Sequence, residues 1–211
     1  MTALPQFKSK TVPVIVITDV AQAIPMAHAL LAGGIDVMEI TLRHPAGLPA
    51  IAAVAKAVPE MCVGAGTVTT LDDVARVVDA GATFALSPGM TDSLIAAVQK
   101  ANLPFVPGVK TPGEVMRARD HGYGLVKLFP ATQAGGLGML KAMGGPLPDM
   151  RFCPTGGVSL ANMNEFLALP NVAMVGGSWL TPVNIVEAAA ASGDWSAITA
   201  LAQEATDQAS K

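Results

Sequence analysis

A single lysine stands in the middle of an otherwise apolar heptapeptide, Gly124-Leu125-Val126-Lys127-Leu128-Phe129-Pro130. The stretch reads as a short strand. Side chains alternate along a strand, so Leu125, Lys127 and Phe129 face one way while Val126 and Leu128 face the other. An ammonium in such surroundings is costly to desolvate, so it either finds a carboxylate or loses its proton. A neutral amine is a nucleophile able to form a Schiff base with a carbonyl substrate, and desolvation is one way of bringing a lysine pKa toward working pH. From this stretch alone, a structural lysine in an ion pair and a catalytic lysine both stand.

A second apolar run supplies a carboxylate. Along Val37 to Arg43, residues Val37, Glu39, Thr41 and Arg43 share one face and Met38, Ile40 and Leu42 share the other, which should meet helices. Glu39 is then expected to point inward with Lys127, with Arg43 roughly 13 Å further along at the mouth. A buried ion pair is weak evidence for stability, because its desolvation cost can exceed its Coulomb gain. An amine nucleophile beside a proton-transferring carboxylate explains the expense better. Gly64-Ala65-Gly66-Thr67 reads either as a tight turn or as backbone that a ligand can approach, with Thr67 supplying a hydroxyl. Pro154-Thr155-Gly156-Gly157 and Gly176-Gly177-Ser178 each precede a helix and read as loops whose N–H groups can hold a phosphate.

Other polar residues carry less. His28 and His121 read as surface or satisfied histidines, and His44 as bordering the mouth. The histidines have no ligand-like spacing, so no metal site is expected. Lys110 reads as a solvated loop lysine or an anion contact, and Cys62 and Cys153 as reduced packing residues.

Strands alternating with helices must position these groups. Runs at Val12 to Thr18, Ile35 to Leu42, Cys62 to Ala65, Thr83 to Ser87, Pro104 to Pro107, Leu125 to Phe129, Arg151 to Pro154 and Val172 to Val175 read as eight strands. Between them lie helices at Gln22 to Leu31, Ala46 to Val58, Leu71 to Ala80, Asp92 to Ala101, Pro112 to Asp120, Gly138 to Met143 and Leu160 to Leu167. Thr70 with Asp73, and Thr111 with Pro112 and Glu114, resemble capping boxes. Pro182 to Ala191 forms the last crossover helix, followed by an extra C-terminal helix from Trp195 to Ala209; Met1 to Lys10 is a short arm. Eight such units predict a closed (β/α)8 TIM barrel within an α/β single domain spanning residues 1–211. An open doubly wound sheet is the structural alternative, but its G-x-G-x-x-G turn is missing after Thr18.

Composition agrees with one large domain that buries a full core. At 51% hydrophobic and 14% charged, the chain is too apolar for disorder, and no run is long enough to span a membrane. No export signal opens it, so a cytoplasmic location is expected. A net charge of -3 with no basic cluster argues against nucleic acid.

Taken together, Glu39-Ile40-Thr41-Leu42-Arg43, Gly64-Ala65-Gly66-Thr67-Val68, Ser87-Pro88-Gly89, Lys127-Leu128-Phe129-Pro130-Ala131, Arg151 to Gly157 and Gly176-Gly177-Ser178-Trp179-Leu180 resemble the 2-keto-3-deoxy-6-phosphogluconate (KDPG) aldolases. This is a class I family of the Entner–Doudoroff pathway, some of whose members also cleave 4-hydroxy-2-oxoglutarate. The resemblance implies that Lys127 is the Schiff-base lysine and Glu39 the general acid/base. It implies that Arg43 and Thr67 hold the pyruvate carboxylate, that Phe129 walls the site, and that Thr155 bears on stereochemistry at the hydroxyl carbon. Gly156, Gly157, Gly177 and Ser178 match the phosphate end. No cofactor is implied, and the family is typically a homotrimer. Two readings compete: a phosphate-binding barrel in which Lys127 is never covalent, and a non-catalytic sugar-phosphate-binding protein.

Overall fold

The computed structural model describes residues 4–209. It is an α/β fold whose elements are β1 (Thr11–Ile15), α1 (Ala23–Ala32), β2 (Val37–Thr41), α2 (Gly47–Ala57), β3 (Cys62–Gly66), α3 (Leu71–Asp79), β4 (Phe84–Leu86), α4 (Asp92–Lys100), β5 (Phe105–Val106), β6 (Gly108–Val109), α5 (Pro112–Asp120), β7 (Leu125–Leu128), α6 (Gly136–Gly144), β8 (Arg151–Pro154), α7 (Met163–Leu167), β9 (Val175–Gly177), α8 (Val183–Ser192) and α9 (Ser196–Ala209). The strands pair in parallel as a curled six-stranded sheet, β5-β4-β3-β2-β1-β9, and a three-stranded sheet, β6-β7-β8. Parallel bridges join Phe152 of β8 to Val172, on the approach to β9, and Thr155, just past β8, to Gly176 within β9. The order is sequential from β5 to β1 and does not reverse as a doubly wound sheet does.

Three strands depart from the expected spans, each for a local reason. The fifth is split at Pro107, which has no N–H to donate. Phe105 and Val106 pair with β4, whereas Gly108 and Val109 pair with β7. Gly108 makes the crossing possible, because any side chain there would run into the backbone of Ser87 and Pro88. The last strand begins at Val175, the residue in register with Thr11 of β1, so Gly176 and Gly177 belong to the strand and not to a loop. The first ends at Ile15, and Val16 beyond it is 42% exposed, so the covering on both faces expected for that run stops there. Asp19 then caps a 3-10 turn, Val20–Gln22. The seventh helix is shorter than its apolar pattern, since Ser159 to Asn162 closes a turn in which the Ser159 N–H donates to Asn162 Oδ1.

The core lies between strands and helices, with Ile15, Met26, Met38, Ile40, Leu128, Met143 and Phe152 buried, so these methionines serve as core fillers. The first three residues of the expected arm, 1–3, lie outside the described residues. Its remainder is tied down: Phe7 packs on Phe84 at 6.3 Å between ring centroids, and the Lys8 and Ser9 N–H groups donate to the Asp36 carboxylate. Helix α9 lies on α1, where Thr199 Oγ1 donates to the Ala29 carbonyl and Gly33 admits the Ala202 methyl.

Both capping boxes form. Asp73 accepts from the N–H groups of Thr69 and Thr70, and Glu114 from those of Lys110 and Thr111. Partial burial pushes each carboxyl upward, but these donors outweigh it and hold both below their ordinary values of 3.8 and 4.5. A depressed folded pKa means that the stabilisation is complete above the unfolded value and is lost as pH falls through the folded one. We expect Asp73→Asn with Glu114→Gln to lower stability by about 1 kcal/mol per cap at pH 7. Urea midpoints measured on both proteins should converge as the pH is taken below about 4.

Candidate active site

Lys127 sits in β7 with Gly108 in register on one side and Cys153 on the other. These are two of the smaller residues, and they leave room for its long side chain. Its Nζ donates to Glu39 Oε1 at 3.0 Å, across the interior from β7 of one sheet to β2 of the other. The side chains are 5% and 1% exposed. Nζ also lies 5.5 Å from the centroid of the Phe129 ring, within reach of a cation–π attraction. The alternation read from both strands therefore holds: Glu39 and Lys127 meet inside.

Space for the carboxylate comes from glycine. A side chain on Gly66 would collide with Glu39 Oε1, and one on Gly64 would collide with the Phe84 ring. The Gly64-Ala65-Gly66 run is thus neither a tight turn nor an opening for ligand; it is the wall against which Glu39 and Phe84 fit. Glu39 Oε2 is buried and has no hydrogen-bond partner among the described residues. Leaving a buried acceptor unmade costs about 1–3 kcal/mol, more for a charged group, which is poor value for a purely structural carboxylate.

Arg43 follows the end of β2, and its Nε donates to Thr67 Oγ1 at 3.2 Å, spending one of five guanidinium donors. Thr67 has φ of 61°, the left-handed region, which is unusual for a β-branched residue. A cavity of about 140 Å³ beside this pair is lined by Arg43, Phe129, Thr155, Gly156, Gly157, Gly177 and Ser178 together with Val14 and Val158. Of the residues expected at the substrate or phosphate end, all but Thr67 and Lys127 are in that lining; Thr67 touches it through Arg43, and Lys127 lies beside Phe129 and Cys153. Gly156 and Gly157 turn with φ of 96° and 81°. An adjoining cavity of about 270 Å³ shares Val14, Arg43 and Ser178 and opens toward Val16, Thr181 and Val183.

Sequence reasoning missed the setting of Cys153. The residue is in register with Lys127, and its Sγ lies 3.8 Å from Thr155 Oγ1. Burial pushes its thiol up to about 11, with the Lys127 charge and the Thr155 contact pulling down and Glu39 pushing further up. The shared face of Cys153 and Thr155 was readable from alternation; the strand register that sets Cys153 beside Lys127 was not. The other candidates lie apart. Lys110 is exposed at the start of α5, His28 is exposed on α1, His121 pairs with Asp92, and His44 Nδ1 accepts the Ala46 N–H. Cys62 is half-buried beside Thr83. Among the described residues no group of three His, Cys, Asp or Glu could hold a metal ion, and no helix is long and apolar enough to cross a membrane.

A buried amine and carboxylate beneath a cavity with an arginine at its edge suit carbonyl chemistry on an anionic substrate, and comparison with known proteins agrees. The family described as "Aldolase: KDPG and KHG aldolase" matches residues 6–201. The 2-dehydro-3-deoxy-phosphogluconate aldolase of Pseudoalteromonas atlantica is 52% identical over 92% of this chain and 88% of its own. The KHG/KDPG aldolase of Escherichia coli is 48% identical over 94% and 91%. The KDPG aldolase of Legionella pneumophila, with pyruvate captured at low pH as a covalent carbinolamine intermediate, superposes with a TM-score of 0.89 at 45% identity, covering 94% of each chain. This chain belongs to the KDPG and KHG aldolase family.

Proposed function

We propose that the protein is a class I aldolase that cleaves KDPG to pyruvate and glyceraldehyde 3-phosphate in the Entner–Doudoroff pathway, and 4-hydroxy-2-oxoglutarate to pyruvate and glyoxylate as a second reaction. The observation that carries this reading is the buried 3.0 Å hydrogen bond from Lys127 Nζ to Glu39 Oε1. The pyruvate carbinolamine of the Legionella pneumophila relative supports it.

In this reading Lys127 passes its ammonium proton to Glu39, and the free amine attacks the C2 ketone to give a carbinolamine. Glu39 returns that proton to the departing hydroxyl, and loss of water leaves a protonated imine beside a carboxylate. Glu39, as carboxylate, takes the C4 hydroxyl proton by way of a water; the C3–C4 bond breaks, its electron pair moves into the imine, and the aldehyde departs. Glu39 delivers the proton it has taken to C3 of the resulting enamine, and hydrolysis of the imine releases pyruvate and restores Lys127. Arg43, held by Thr67, neutralises the substrate carboxylate. Phe129 walls the reacting carbons, Thr155 receives the C4 hydroxyl, and Gly156, Gly157, Gly177 and Ser178 take the phosphate. No step calls for a cofactor.

The same proposal treats the strands as one closed (β/α)8 barrel, in a single unit spanning the chain. Three features favour closure: β9 pairs with β1, two bridges join the β8 chain to β9 and its approach, and only Pro107 separates β5 from β6. The reacting groups then lie toward the C-terminal ends of the strands, as in barrel enzymes generally. A homotrimer in the cytoplasm completes the reading.

Borohydride reduction in the presence of pyruvate, followed by peptide mass mapping, is expected to leave the adduct on Lys127; Lys127→Ala, shown to be folded by circular dichroism, should trap none. An adduct on another lysine, or an active Lys127→Ala enzyme, overturns the assignment. Glu39→Gln should still trap pyruvate, yet turn over at least about 100-fold more slowly. Unimpaired steady-state turnover by that variant would remove Glu39 from the proton transfers.

A further inference from the structure

The proposed mechanism leaves one buried reactive side chain unused, the thiol of Cys153, which is 2% exposed. Its strand register places it next to Lys127, and among the described residues the thiol's only hydrogen-bonding contact is Thr155 Oγ1 at 3.8 Å, within the longer reach of sulfur. A threonine hydroxyl has one proton and two lone pairs. The Cys153 carbonyl, 3.4 Å from Oγ1, can take that proton, in which case the contact with Sγ runs from sulfur to oxygen. An S–H bond into one lone pair then leaves the second as what Thr155 offers the cavity it lines. Gly176, paired across from Thr155, keeps the hydroxyl where it is, because any side chain at that position would collide with Oγ1.

We propose that Cys153 is a positioning residue whose thiol fixes the Thr155 hydroxyl as an acceptor, and thereby sets how strongly the enzyme prefers one C4 epimer of its substrate over the other. The inference rests on the reading that Thr155 receives the C4 hydroxyl. Burial, which pushes the thiol up to about 11, keeps it a donor well above neutral pH and removes it as a nucleophile. An acceptor fixed in direction favours the epimer whose hydroxyl meets its lone pair; a hydroxyl free to rotate serves either.

The test is the ratio of kcat/KM for the two C4 epimers, KDPG and its galacto counterpart, in wild type, Cys153→Ala, Cys153→Ser, Thr155→Val and the Cys153→Ala/Thr155→Val double variant. Cys153→Ala should lower the ratio about fivefold, equivalent to ~1 kcal/mol for one hydrogen bond. Cys153→Ser, which restores a donor, should stay within about twofold of wild type. The double variant should show the ratio of Thr155→Val alone, as two residues acting through one contact require. Full borohydride trapping with pyruvate in each variant verifies the fold and the amine; should Cys153→Ala not fold, Cys153→Val also lacks a donor and reads the same. An unchanged ratio in Cys153→Ala, with Thr155→Val lowering it, overturns the proposal while sparing Thr155. An unchanged ratio in Thr155→Val refutes the Thr155 reading itself, and the proposal with it.

Discussion

The structure turns on one hydrogen-bonded ion pair that has been taken out of water. Lys127 and Glu39 meet at 3.0 Å with almost no exposure, and they come from different sheets. Replacing such a pair by well-packed apolar residues is often neutral or stabilising by about 1–4 kcal/mol, whereas removing one partner costs about 3–5. The pair is therefore not there to hold the fold together; the fold is arranged to tolerate it. Its unpartnered Oε2 points the same way, since a structural carboxylate would have that oxygen satisfied. A proton-transferring one needs an oxygen in reserve.

Tolerance comes from small residues placed by register. Gly66 accommodates the Glu39 carboxylate, Gly64 the Phe84 ring, Gly176 the Thr155 hydroxyl and Gly177 the Trp179 ring. None of these four has a positive φ, so what they supply is volume and not backbone freedom. Gly156 and Gly157 differ: both turn in the left-handed region, where other residues are strained. Glycine thus does two jobs around one cavity, making room beside the strands and making a turn past the end of β8.

Much of this was legible in the sequence where period two was enough. Alternation put Glu39 and Lys127 inside and set Met38 and Ile40 against the helices, while the i, i+3 spacing of Thr70 with Asp73 and Thr111 with Glu114 marked the capping boxes. What escaped depends on partners that local pattern does not name. The Val172 to Val175 run is apolar enough for a strand, yet its pairing with β1 begins only where Val175 meets Thr11, and Val172 touches the β8 chain through a single bridge to Phe152. Pro107 inside an apolar run was a readable warning that a ladder would break, because proline withholds a donor. The neighbour of Lys127 was not readable, since Cys153 reaches it only through the β7 to β8 register.

The one β-branched residue with positive φ among the described residues stands where charge is aimed. Among the described residues only Thr67 and Asn102 are non-glycine with positive φ, and Thr67 is the one that holds Arg43. A β-branched residue in that region costs on the order of 1–3 kcal/mol, an expense that persists only where the surroundings over-determine it. Here they do: β3 ends at Gly66, whose carbonyl accepts the Leu42 N–H, so the chain carrying Arg43 and the chain carrying Thr67 are already locked together one residue before the side chains meet. A guanidinium on a long flexible stem would otherwise lose much of its binding energy in being ordered. Strain at Thr67 moves that ordering into folding; under the proposed mechanism a substrate carboxylate then meets an arginine already in place.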